Sequence, residues 1–158
     1  MFYAATQNKL LYAITGHTAA EIVVTRAKAD EPNMGLTSWK GNIVRKQDVI
    51  IAKNYLTADE LDSLNRLVVI FLEMAEFRAK SRKDLTMDYW RENVDKILVA
   101  NEQPLLMGKG SVGNEQMEAF AHQVYDDFNA RRKAQDAIDA DAEDMQELFE
   151  LEQEIKNR

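Results

Sequence analysis

Residues 57–83 read TADELDSLNRLVVIFLEMAEFRAKSRK. Thr57 and Glu60 stand three apart, the spacing at which a hydroxyl and a carboxylate satisfy two orphaned donors of a helix N-terminus. Leu61, Leu64, Val68, Phe71, Leu72, Ala75 and Ala79 then recur at intervals of three and four, and Leu67, Val69 and Ile70 widen the stripe. The middle of the segment is apolar nearly all round, which predicts a long helix buried centrally. Arg78, Lys80, Arg82 and Lys83 crowd its C-terminal end, where cations complement the helix dipole.

The same period governs the flanks. Tyr3, Thr6, Leu10, Ala13 and Ile14, preceded by Phe2, form a first amphipathic helix that Gly16 stops. Thr18 and Glu21 repeat the capping spacing and open a second helix from about Ala19 to Ala29. The stretch from Pro32 to Gly41 has no helical period and reads as the longest loop. A short helix is expected from near Lys46 or Gln47 to Tyr55, and Asn42–Arg45 is the one short strand candidate. Thr86 or Asp88 caps a helix to about Asn101 with Trp90, Val94, Ile97 and Leu98 inward. Pro104 and Gly108-Lys109-Gly110 break the pattern, and a long C-terminal helix begins near Gly113 with Met117, Phe120, Ala121, Val124, Tyr125 and Phe128 on its inner face. The expected fold is all-α, an irregular multi-helix bundle with a central apolar helix at about 57–83. It divides into a helical domain, 1–133, and an acidic helical tail, 134–158.

With no cysteine among 158 residues, disulfide frameworks, thiolate nucleophiles and iron–sulfur clusters are closed to this chain. The net charge of −7 is unevenly placed: residues 1–56 carry seven Lys/Arg against four Asp/Glu, and residues 113–158 five against thirteen. An acidic whole is poorly suited to general nucleic-acid binding, whose affinity comes mainly from neutralised phosphates. No apolar run reaches the ~20 residues of a membrane span, and a soluble, cytoplasmic protein is expected. The chain has no P-loop, dinucleotide fingerprint, H-E-x-x-H or G-x-S-x-G motif. With His17 and His122 its only histidines, neither a metal nor another cofactor is expected.

The least bland region is 35–55. Lys40, Arg45, Lys46 and Lys53 lie among Trp39 and Tyr55, and cations beside aromatic faces suit phosphates or stacked bases. His17, before a helix N-terminus, Arg26 and Asn54 complete this candidate anion site, with Asp48 or Glu73 as its base. Set against it, His17 finishes a turn, Glu21 and Asp48 serve helix starts, Trp39 anchors the loop, and Glu73 and Asn65 pair with Arg26 or Arg66.

The segments FYAATQNKLL (2–11), ITGHTAAEI (14–22), MGLTSWKG (34–41) and AKNYL (52–56), with Leu64-Asn65-Arg66, Trp90, Asn101-Glu102, Tyr125 and Phe128, resemble the C-terminal region of the RhuM virulence protein family to about Arg132. Gly113 departs from the family's serine-like cap, and the tail matches much less. The resemblance implies that a DNA-binding-like half precedes this region in full-length members, so that DNA would be reached only indirectly. Some relatives are named as, or fused to, Fic proteins. The H-P-F-x-x-G-N-G-R loop of those AMP-transferases is missing here, and that activity does not transfer. The leading expectation is a non-enzymatic helical effector or assembly domain that self-associates or binds a protein partner. The competing one is a phosphate-binding module or enzyme built on the basic loop.

Overall fold

Helix α1 (Phe2–Thr15) is the wall shared by two hydrophobic clusters, with Leu10 and Ile14 packed against both. The computed structural model describes residues 2–158, and the side chain of Phe2, placed by the sequence on the first apolar stripe, lies outside the described residues. Gly16 turns the chain with a φ of 75°, and Thr18 caps α2 (Ala19–Arg26) through the reciprocal capping box its spacing predicts. A long irregular segment follows, holding 3-10 turns at Pro32–Gly35 and Ala52–Tyr55. Then come α3 (Ala58–Lys80), α4 (Met87–Ala100) and α5 (Asn114–Lys156). No strand occurs among the described residues. The protein is all-α.

The first cluster gathers Leu11 of α1, Ile22 and Val23 of α2, Met34, Val44, Val49 and Tyr55 of the irregular segment, and Ala121 and Phe128 of α5. The second is built by Ala13 of α1, Leu67 and Phe71 of α3, and Val94, Ile97 and Leu98 of α4. Trp90 meets Phe71 with ring centroids 5.7 Å apart. The irregular segment and α5 therefore close one side of the molecule, and α3 with α4 the other.

Several local expectations change. α2 ends at Arg26 because Ala27 is extended. The segment expected as a helix from 46 is instead a series of turns: the Asp48 carboxylate accepts the Arg45 amide at 2.8 Å, and Ile51 is extended before the 3-10 turn. Asn42–Arg45 is irregular. α3 closes at Lys80, and Arg82 takes a positive φ of 54°. Gly113 caps α5 without a side-chain bond.

The largest difference is the burial of α3. Of its apolar side chains only Leu64, Leu67 and Phe71 are buried, while Val69, Leu72 and Phe77 are 54, 63 and 74% exposed. α1 and α4 cover one stripe and leave the flanks open. α5 is a single 43-residue helix, about 65 Å long at ~1.5 Å per residue. Phe128 is the last buried residue on it, and every residue from 134 onward is exposed.

Candidate functional site

The irregular segment is held by hydrogen bonds that consume much of its polar chemistry. Arg26, the last residue of α2, grips Glu60 with both terminal guanidinium nitrogens at 2.6 and 2.7 Å and donates to the Tyr55 carbonyl at 2.9 Å. Glu60 is also the third residue of α3 and accepts the Thr57 amide. One carboxylate thus joins the end of α2, the end of the segment and the start of α3. The Arg26 hydrogen bonds hold Glu60 at about 2, with the Thr57 amide assisting against partial burial.

That position gives a stability prediction with a definite sign. A depressed carboxylate stabilises the fold above its unfolded value, near 4.5, and loses that contribution as pH falls toward 2. Glu60→Gln is expected to cost roughly 2–3 kcal/mol at pH 7, the scale of charge-assisted hydrogen bonds. The gap between variant and wild type should close between pH 4.5 and 2, measured by denaturant unfolding across that range. A gap that stays constant would show that Glu60 does not contribute through its charge.

Asn54 ties the two most distinctive sequence segments together. Its carbonyl accepts the Thr37 amide at 2.6 Å and the Thr37 hydroxyl at 3.1 Å, and its side-chain amide donates to the Asp48 carbonyl at 2.9 Å. Thr37 also donates to the Leu56 carbonyl, and the buried Tyr55 hydroxyl donates to the Val49 carbonyl at 2.7 Å. Burial pushes the Tyr55 phenol up. MGLTSWKG and AKNYL are two sides of one stapled loop, with Trp39 half-buried against the first cluster.

Arg26, Asn54 and Asp48 are therefore engaged inside the fold, while Lys40, Arg45, Lys46 and Lys53 are exposed. Lys46 reaches Asp126 of α5 at 3.6 Å, and Arg132 of α5 donates to the Val44 carbonyl, so the loop is bound to α5. His17 lies elsewhere, 3.8 Å from the Glu21 carboxylate. Glu21 accepts the Thr18 amide through one oxygen and the amide and hydroxyl of Ser111 through the other. The Ser111 amide is the main cause that lowers the Glu21 carboxyl. Glu73 is exposed on α3, on a groove lined by none of the loop's residues. Arg66 pairs with Asp62, and Arg26 with Glu60, rather than with Glu73 or Asn65. Among the described residues no group of three or more His, Asp or Glu could hold a metal ion, and no helix is long and apolar enough to cross a membrane.

A sequence profile described as the Virulence protein RhuM family matches residues 1–136. The chain belongs to the RhuM virulence protein family. No curated protein and no solved structure matches it. The family match ends eight residues beyond Phe128, close to where this RhuM-family chain's α5 leaves the packed body.

The surface that the sequence missed is apolar. A groove of about 240 Å³ is lined by Tyr3, Thr6, Leu10, Val68, Leu72 and Trp90 around Phe71. A second, about 460 Å³, runs between α3 and α4 past Met74, Phe77, Arg78, Lys83 and Tyr89, where the Arg78 guanidinium lies 3.8 Å from the Tyr89 ring centroid. The only sequence signal was the excess width of the apolar stripe on α3.

The basic loop has a direct test. With its polar partners internally satisfied, inorganic phosphate is expected to shift the melting of wild type and of Lys53→Ala equally, as preferential exclusion does. A stabilisation present in wild type, absent in Lys53→Ala and reduced by salt would establish an anion site there.

Proposed function

We propose that this RhuM-family chain is a non-enzymatic helical assembly domain of a virulence-associated protein. It self-associates through apolar helix faces, and DNA contact belongs to a partner domain rather than to this acidic chain. The observation that carries this reading is the exposure of large apolar side chains on two separate helices, α3 and the distal part of α5. Contiguous exposed apolar surface marks interaction sites in soluble proteins. The loop chemistry supports it from the other side, because Arg26, Asp48 and Asn54 serve as internal braces.

Light scattering tests the reading. The expected mass is a multiple of 18.1 kDa at tens of micromolar protein, falling toward the monomer on dilution. A mass fixed at 18.1 kDa up to millimolar concentration would refute it.

A further inference from the structure

Among the described residues, none packs on the distal part of α5, which is exposed from residue 134 onward. Ile138, Ala142, Met145 and Phe149 are spaced four, three and four residues apart, which places them on one seam, with Leu148 and Ile155 on its flank. All six are exposed. The remainder is strongly acidic: residues 134–158 hold nine Asp/Glu against two Lys/Arg. Carboxylates four apart, such as Asp139 with Glu143, Glu143 with Glu147 and Glu150 with Glu154, repel along the helix. Helices in water draw most of their stability from packing an apolar face rather than from propensity. This one needs a surface that is apolar along its seam and positive at its rim.

Such a surface exists on the same chain. Residues 66–83 carry five Lys/Arg against two Asp/Glu, and the cations crowd the end where Met74 and Phe77 are exposed. The groove of Met74, Phe77 and Tyr89 is rimmed by Arg78 and Lys83 against the one carboxylate of Glu73, with Lys80 and Arg82 exposed nearby on the chain. Two acidic tails paired with each other would set nine carboxylates against nine. A tail on this groove sets them against a rim in which cations outnumber carboxylates.

We infer that two copies of this chain exchange their α5 tails, each tail laying its Ile138–Phe149 seam into the partner's cation-rimmed α3–α4 groove. The inference rests on the assembly reading and names its partner as a second copy. The exchange is two-fold and closes on itself, so it yields a dimer rather than a filament. Being reciprocal, it buries two copies of the contact, toward the ~1,200–2,000 Å² of a stable interface. Charge at the rim then sets which surfaces pair and how fast they meet.

The test uses the full chain. A one-to-one mixture of 14N- and 15N-labelled protein is treated with a carbodiimide, which joins lysine amines to carboxylates in contact. Mixed-isotope crosslinks from Lys80 or Lys83 to carboxylates of residues 134–154 are expected, in a species of twice 18.1 kDa. Lys80→Glu with Lys83→Glu should weaken dimerisation at least tenfold, and so should Glu147→Lys with Glu150→Lys. All four are exposed positions, so circular dichroism should show both variants folded. Mixing the two variants should restore one contact in its native form and the other with its charges swapped, and so recover most of the affinity. A dimer that is indifferent to both charge reversals, with mixed-isotope crosslinks confined to other residues, would overturn the exchange and leave the assembly reading standing. A monomer at every concentration would overturn both.

Discussion

Alanine at position 35 is expected to cost the fold about 3–5 kcal/mol, close to the upper end of what one substitution does. Gly35 has a φ of 86°, and a Cβ there would collide with the carbonyl oxygen of Arg26. That oxygen belongs to the backbone at the end of α2 and cannot swing aside. The collision also strikes the residue that braces Glu60 and Tyr55. Gly35 follows Asn33 and Met34, both left-handed, and Met34 is fully buried, so relaxing the turn would withdraw a side chain from the first cluster. Gly41 supplies the control: its φ is 88°, yet a Cβ would meet nothing within 4 Å. Gly41→Ala should therefore cost only the backbone preference, ~1–2 kcal/mol. Denaturant unfolding of both variants at one protein concentration separates strain from collision. Equal losses would mean that the close approach of Gly35 to α2 is absent.

Phe71→Ala is expected to have a comparable effect on the other cluster, roughly 3–5 kcal/mol, the range for emptying a buried phenylalanine site. Phe71 shares the second cluster with Leu67 and Val94 and meets the Trp90 ring, so it is one of the side chains that join α3 to α4. For a chain of this size that loss lowers Tm by on the order of 10 °C. Phe77, six residues later on the same helix, is 74% exposed, and Phe77→Ala should leave the stability of the isolated chain almost unchanged while weakening its association. A Phe71→Ala variant that melts with wild type would show that α3 is not packed through this face.

Features legible in the sequence were those decided within a few residues. Thr18 with Glu21 and Thr57 with Glu60 form complete capping boxes because both partners lie in one turn. The spacing of Val94, Ile97 and Leu98 gave the buried face of α4 directly. Periodicity reports how apolar a helix is, but not what covers it. For that reason the broad stripe of α3 predicts a centrally buried helix, whereas Val69, Leu72 and Phe77 face outward. The candidate site shows the same limit. Nothing in the spacing of Arg26 and Glu60, thirty-four residues apart, announces their pairing, nor does the sequence of the positive loop announce that Asn54 and Asp48 bind its own backbone. The tail's acidity and its apolar positions from Ile138 to Ile155 are readable in the sequence, whereas the exposure of all of them is a property of the fold.

Amide hydrogen exchange across residues 134–156, followed at high and low protein concentration, tests most directly whether the exposed helix faces are assembly surfaces. An unpartnered acidic helix opens easily and protects its amides little. The account expects slow exchange along the Ile138–Phe149 seam at high concentration, together with slowed exchange around Met74–Phe77, and loss of both on dilution. Rapid exchange in the tail that does not change with concentration, while the amides of α1 and α2 remain protected, would contradict it.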